Sequence, residues 1–141
     1  GGMAAPVAAY FANVCSPPPI VTVVEAATVP CLMESARHNA FTRTESSGPT
    51  NLNRLDCPTP SSTTWSLLRD LACAFVAVEN DAAAEAARLL ADEDLATTPT
   101  GAAGLAGLLA LAATPGAFER LGLGAQSRVL IVVTEQAIAQ A

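Results

Sequence analysis

Lysine is absent from the 141-residue sequence, so all seven of its basic residues are arginines. Thirteen acidic residues leave a net charge of −6. Charged residues make up only 14% of the chain, whereas an average soluble protein has about 25%. Because no basic patch is dense enough to neutralise a phosphate backbone, we expect no nucleic-acid partner.

The sequence also lacks the patterns of a metal site, a secretory signal and a membrane span. Its four cysteines show no C-x-x-C spacing and no neighbouring histidine, so neither a zinc site nor a redox motif is predicted. The N-terminus has no basic start, and Pro6 interrupts it. The longest apolar run, 101–113, is too short to span a bilayer. We therefore predict buried thiols and a reducing, cytoplasmic setting without a membrane partner.

Apolar residues are abundant, at 51% of the chain, although aromatic residues account for only 4%. A chain of this size suggests one domain or a piece of one. With so few charges, one flank is expected to be covered by further polypeptide. The apolar excess therefore predicts either a homo-oligomer or a missing N-terminal half.

The apolar periodicity predicts helices that alternate with strands. Helices are predicted at about 3–13, 30–39, 61–71, 80–90, 101–113 and 118–121, and strands at 20–25, 73–78 and 127–135. The predicted N-caps are Ser61 or Ser62, Asn80 or Asp81, and Thr100. Residues 42–60, rich in Ser, Thr, Asn and Pro, are predicted to form a long loop. This order favours an α/β fold, a three-layer sheet of mainly parallel strands with helices on both faces.

The stretch SRVLIVVTE, residues 127–135, carries five consecutive aliphatic side chains. Such a run predicts a central parallel strand that is covered on both faces. It ends on Thr134 and Glu135. Ligands of α/β sheets lie beyond the carboxyl ends of the strands, so these residues are candidate ligand contacts. The alternative is that the chain simply leaves the core here.

Three parts of the chain are more specific than a pattern: GGMAAPVAAYF at the start, CPTPSSTTWSLLRDLACAFVAVENDAAAEAARLLA in the middle, and TGAAGLAGLLAL followed by LGLGAQSRVLIVVTEQ. The first resembles the phosphate loop and helix of fold-type II pyridoxal-phosphate enzymes. The others resemble the diaminopropionate ammonia-lyases of that family, which have SGAAGLAGLLAL and SRVLIISTEG. The matches keep the family's order, so residues 1–141 resemble the C-terminal part of its large cofactor-binding domain.

The resemblance implies a set of cofactor-binding residues. Gly1, Gly2 and Met3 would be the second half of a turn whose N–H groups face the cofactor phosphate. Thr134 would face the pyridine nitrogen of pyridoxal 5′-phosphate, and Glu135 would position the loop or the ring edge. We expect Thr134 to border a cavity shared with Gly2. No catalytic residue and no metal ligand is predicted.

Two segments depart from the family. Its Ser-Gly-Glu-Ser-Gly segment is replaced here by residues 97–101, TTPTG, so that Pro99 stands in place of the acidic residue. In NLNRLDC, Arg54 and Asp56 replace residues that are apolar or small in the family. The resemblance therefore does not show which residues form these walls of the expected pocket.

The family's chemistry needs a lysine that bonds to the cofactor and moves protons at the substrate carbon. Because the chain has no lysine, we expect neither activity nor tight cofactor binding from it alone. The first interpretation is a fragment or degenerate member of the diaminopropionate ammonia-lyase family, whose intact enzyme eliminates ammonia from the amino acid 2,3-diaminopropionate to give pyruvate. The alternatives are a non-catalytic α/β module that binds itself or a partner, and one half of a split enzyme.

Overall fold

The computed structural model describes residues 1–137. Regular structure in these residues consists of six helices and two short strands. The elements are α1 (Ala4–Val14), β1 (Thr22–Ala26), α2 (Cys31–His38), α3 (Ser62–Leu71), β2 (Ala74–Val78), α4 (Asn80–Asp92), α5 (Ala103–Ala113) and α6 (Ala117–Arg120).

Strands β1 and β2 form a parallel pair in which Val24 lies opposite Val76. Successive side chains of a strand point to opposite faces, and β1 uses both. Val23 packs in a core with α1, α2 and α3, whereas Val24 packs against a second core with α4 and α5. Helices therefore cover both faces of the sheet, which confirms the predicted α/β fold with parallel strands.

Each face has its own fully buried leucines. Leu32 and Leu68 fill the core under α1, and Leu52 fills the core under α5. Leu52 lies between α2 and α3, in the stretch of 42–60 where the structure has no helix or strand. This stretch therefore supplies part of the core as well as the surface.

Asn80 ties the loop to the start of α4. Its carboxamide oxygen accepts hydrogen bonds from the Thr50 hydroxyl at 2.9 Å and the Asn51 N–H at 3.0 Å. Its amide group donates to the Pro49 carbonyl at 3.1 Å. The predicted cap at Asn80 or Asp81 is therefore wrong, because Glu79 occupies the N-cap position and Asn80 is engaged with the loop.

The N-cap of α3 is as predicted, because the Ser61 hydroxyl accepts a hydrogen bond from the Thr64 N–H at 3.1 Å. The prediction of buried thiols is correct for Cys31 but wrong for Cys57 and Cys73, which are exposed. Cys57 lies in the loop and Cys73 at the entry to β2, where neither the sheet nor a helix covers it.

The predicted strand at 127–135 is wrong. Residues 128–137 have no regular secondary structure, and Leu130 is 70% exposed. An aliphatic run indicates burial, but a strand also needs a neighbour for its N–H and C=O groups, and the two-stranded sheet of the described residues does not include this segment. The segment crosses α5 instead, where a Cβ built on Gly104 would lie 2.7 Å from Cγ2 of Ile131.

Helix α5 approaches the sheet closely at Gly107, where any side chain would overlap Val24 of β1. Ala103 and Ala106 on the same helix are buried in the core with the strands. Close approach to the sheet therefore explains the glycine at position 107. Neither α5 nor any other helix within residues 1–137 is long and apolar enough to cross a membrane.

Candidate functional site

The starts of several helices gather at the carboxyl edge of the sheet. Helix α4 begins two residues after β2 ends, and Ala103 at the start of α5 packs with Ala26 and Val78, the last residues of the strands. The start of α1 lies at the same edge, since Gly1 packs against Leu32 of α2. Helix N-termini carry free N–H groups and positive charge, which makes this edge a candidate anion site.

The start of α2 is already occupied by a carboxylate of the chain itself. Glu25 is 7% exposed, and its carboxylate accepts hydrogen bonds from the N–H groups of Leu32 at 2.9 Å and Met33 at 2.7 Å. Burial raises the pKa of Glu25, although these backbone hydrogen bonds act in the opposite direction. The sequence placed Glu25 at a strand end but gave no signal of this partner.

Cys31 lies beside Glu25 and is not a nucleophile. Burial, together with the negative charge of Glu25, raises the pKa of the Cys31 thiol to about 12. The reactive form of a cysteine is the thiolate, which this environment suppresses at neutral pH. The start of α2 therefore offers neither an anion site nor a reactive group.

The start of α1 is open, in contrast to that of α2. Gly2 is exposed, and nothing lies within 4 Å of the position that a Cβ would take. Met3 occupies the N-cap position without a side-chain hydrogen bond, and the first backbone bond is donated by Ala5 to the carbonyl of Gly1 at 3.1 Å. The preceding N–H groups therefore have no partner in the helix.

Thr134 and Glu135 border a groove of about 540 Å³ that is lined by Asp94, Leu95, Ala96 and residues 133–136. The groove is broadly open to solvent. Gly2 is not among the lining residues. The starts of α1 and α5 lie at the same edge of the sheet but on opposite faces of it. The assignment of both groups to one cofactor site stays a prediction.

Glu135 contacts the turn that precedes α5. Its carbonyl oxygen accepts a hydrogen bond from the Thr97 hydroxyl, and its carboxylate accepts one from the Thr98 hydroxyl. Nε of Arg54 lies 3.7 Å from Oε1 of Glu135. The carboxylate of Glu135 is therefore engaged within the chain, whereas Thr134 is exposed at the groove.

The predicted N-cap of α5 at Thr100 is wrong. Ala102 occupies the N-cap position and makes no side-chain cap bond. Thr98 takes over part of this role, since its hydroxyl oxygen accepts a hydrogen bond from the Gly101 N–H at 3.1 Å. Pro99 and its neighbours form a turn rather than the first residues of the helix. The sequence could not show which of three threonines would supply the hydroxyl.

The fold and the edge just described define an α/β protein of the class whose ligands lie beyond the carboxyl ends of parallel strands. The family model described as pyridoxal-phosphate dependent enzyme matches residues 1–135. The chain therefore belongs to the pyridoxal-phosphate dependent enzyme family. No curated protein that was compared matches the chain.

Several solved structures resemble the fold. A threonine deaminase of T.th. is 27% identical with a TM-score of 0.71, and the match covers 78% of this chain and 40% of that one. Maize serine racemase is 21% identical with a TM-score of 0.69, covering 80% and 35%. The L-serine ammonia-lyase of Rhizomucor miehei is 21% identical with a TM-score of 0.68, covering 83% and 36%. The last two likenesses support the fold alone.

The chain spans two fifths or less of the length of these three structures. The family model, which matches residues 1–135, spans both strands, the helices that cover them and the candidate edge. The family match implies pyridoxal phosphate as the cofactor of the intact enzymes and amino acids as their substrates.

Proposed function

We propose that this chain supplies one wall of a pyridoxal-phosphate site and that the lysine comes from polypeptide outside the 141-residue sequence. The observation that carries the proposal is the open start of α1 at the same sheet edge as the exposed hydroxyl of Thr134. A phosphate needs N–H donors and little steric hindrance, and the surroundings of Gly2 offer both. We propose that these residues hold the two ends of one cofactor.

Each residue has a separate task in this proposal. Gly1, Gly2 and Met3 hold the phosphate through backbone N–H groups, and the Thr134 hydroxyl meets the ring nitrogen without adding a charge there. Glu135 keeps its segment in place and does not touch the ring. When bound, the cofactor supplies the electron sink for reactions at the α-carbon of an amino acid.

For the intact protein, we propose elimination of ammonia from 2,3-diaminopropionate to give pyruvate. The support is the sequence resemblance over the middle and last segments, together with the likeness to a threonine deaminase. The chain alone has no amine side chain to perform this reaction. We therefore expect no turnover from the isolated chain, whether it is a fragment or a degenerate family member.

A second candidate function is a non-catalytic α/β module that associates with itself or with a partner. It is favoured by large apolar side chains on the surface, of which Tyr10 is 62% exposed, Val14 57% and Leu130 70%. A split enzyme is the third candidate, with the lysine in a separate polypeptide. The absorbance band of lysine-bound cofactor distinguishes the split enzyme from the other two candidates. Only the split enzyme should gain this band, and only after its other half is added.

Binding of pyridoxine 5′-phosphate to the isolated chain tests the proposed site. This compound has the phosphate and the ring nitrogen but no aldehyde, so it cannot react with the amino group of Gly1. We expect weak binding, with a Kd on the order of 1 mM. Gly2→Asp places a negative charge at the phosphate end and should weaken binding at least about tenfold, which corresponds to about 1.4 kcal/mol.

Matched variants control this experiment. Gly124→Asp adds the same charge at another exposed glycine with open space around it, and it should leave binding unchanged. Thr134→Val should weaken binding about fivefold through the loss of one hydrogen bond, whereas Thr59→Val on the exposed loop should not. Absence of binding, or equal binding by Gly2→Asp and Gly124→Asp, would contradict the proposal.

A further inference from the structure

Two hydroxyl groups of the turn before α5 hold one residue of the last segment. Thr97 donates to the backbone carbonyl of Glu135, and Thr98 donates to its carboxylate. A carboxylate can only accept, so the single hydroxyl proton of Thr98 lies between the two residues. The oxygen of Thr98 also accepts from the Gly101 N–H at 3.1 Å. The turn thus forms hydrogen bonds with both the main chain and the side chain of Glu135.

The backbone of Glu135 also packs directly on Gly101. A Cβ built on Gly101 would lie 3.1 Å from the carbonyl oxygen of Glu135 and 3.2 Å from its nitrogen. One further backbone bond follows, from the Ala137 N–H to the Ala96 carbonyl at 3.3 Å. These contacts cluster at one point, whereas Leu130 earlier in the segment is exposed.

Holding Glu135 also restricts Thr134, because the two residues are adjacent in the chain. Thr134 is exposed and borders the groove. Release of the carboxylate would let the backbone rotate, and the Thr134 hydroxyl would lose its defined position.

We propose that Glu135 is a positioning residue and that Thr98 is its anchor, so that together they hold the Thr134 hydroxyl at the groove. The use of that hydroxyl by a cofactor rests on the proposed function, but the positioning itself does not. Arg54 adds little, because its side chain is 83% exposed and its Nε lies 3.7 Å from the carboxylate.

Backbone order parameters from ¹⁵N relaxation of the isolated chain, without ligand, test the positioning. In the unmodified chain, we expect values near about 0.85 at Thr134 and Glu135, as for rigid backbone, and values below about 0.6 in Thr98→Val. Thr98→Ser keeps the hydroxyl and should restore the rigid values. Thr59→Val, on the exposed loop, is the control for threonine replacement and should change nothing.

The same four proteins are then titrated with pyridoxine 5′-phosphate. Thr98→Val should bind about fivefold more weakly, and Thr98→Ser should bind like the unmodified chain. The inference is overturned if Thr98→Val leaves residues 134 and 135 rigid, or if Thr98→Ser loosens them equally. If the order parameters change as expected but the unmodified chain binds no ligand, the proposed function fails and the positioning by Glu135 stands.

Discussion

The backbone N–H of Leu32 donates a hydrogen bond of 2.9 Å to a carboxylate oxygen of Glu25. This bond joins the first turn of α2 to the end of β1. The second carboxylate oxygen accepts from the Met33 N–H at 2.7 Å. One buried side chain therefore satisfies two N–H groups that the helix itself cannot pair. It also closes α2 to external anions, whereas the start of α1 is open.

Glu25→Ala should destabilise the fold strongly, because it leaves the buried N–H group of Leu32 and the half-buried N–H group of Met33 without an acceptor. Each unsatisfied group costs about 1–3 kcal/mol. We expect the free energy of unfolding in urea to fall by about 3 kcal/mol. Glu34→Ala, which removes an exposed ion pair with Arg37 from the same helix, should cost less than about 0.5 kcal/mol. Equal losses in the two variants would contradict this role of Glu25.

Stability should depend on pH through Glu25 in a definite direction. The folded-state pKa of Glu25 is raised by burial from the ordinary value of 4.5, so the folded state holds the proton more tightly than the unfolded chain does. The contribution of this proton is therefore complete below pH 4.5 and is lost as the pH rises through the folded-state pKa. Glu25→Gln cannot ionise and lacks this dependence.

Urea unfolding of the unmodified chain and of Glu25→Gln, measured from acid to neutral pH, tests the direction. Relative to the variant, the unmodified chain should lose stability as the pH rises above 4.5. A relative gain over the same range would mean that the hydrogen bonds from Leu32 and Met33 outweigh burial. In that case, the folded-state pKa would be lowered rather than raised.

Gly107→Ala should destabilise the chain although alanine is the better helix former by about 0.8–1.0 kcal/mol. The new methyl group would overlap Val24 of β1, and overpacking of this kind costs about 1–3 kcal/mol. Thermal and urea unfolding measure the change. Gly124→Ala, where nothing lies within 4 Å of the new Cβ, is the matched control and should be close to neutral. A stabilised Gly107→Ala variant would show that α5 does not touch the sheet there.

Leu52→Ala and Leu130→Ala should differ widely although the chemical change is the same. Leu52 is fully buried, and its truncation should cost about 2–5 kcal/mol. Leu130 is 70% exposed, so its truncation should stay within about 0.5 kcal/mol. Chemical denaturation compares the two. A large loss of stability in Leu130→Ala would instead support the buried strand that the sequence predicts at 127–135.

Asn80→Ala should release the loop from the start of α4. The change removes the hydrogen bonds of its side chain with Thr50, Asn51 and Pro49. Limited proteolysis should then cut faster within residues 42–60, and stability should fall by about 1–3 kcal/mol. Asn13→Ala removes an exposed hydrogen bond to the Ala9 carbonyl and should change neither measurement. Unchanged cleavage in Asn80→Ala would mean that other contacts, such as burial of Leu52, hold the loop.

Most helices and both observed strands could be predicted from the sequence because local patterns determine them. α3 begins beside its predicted cap Ser61, and β2 lies within the predicted range 73–78. The segment 127–135 shows the limit of this reasoning. Its aliphatic residues predict burial. A strand, however, forms only when a second strand lies beside it to pair with its N–H and C=O groups, and a local sequence pattern does not show whether such a strand is present.

The candidate site could be predicted only in part, for a related reason. The sequence placed Thr134 and Glu135 together at one segment end but gave no ground for assigning them different roles. The difference comes from Thr97 and Thr98, which lie 38 and 37 residues away along the chain. The buried role of Glu25 likewise depends on Leu32 and Met33 folding back over it. Contacts between separate elements decide these roles.

The most direct measurement of the central claim is a ¹H–¹⁵N correlation spectrum of the isolated chain during titration with pyridoxine 5′-phosphate. If the chain is one wall of a pyridoxal-phosphate site, a single saturable binding event should shift the amide signals of Gly2 and Met3 together with those of Thr134 and Glu135. Shifts confined to one of these pairs, or the absence of saturable shifts at both, would contradict the claim that α1 and the last segment form the two ends of one cofactor site.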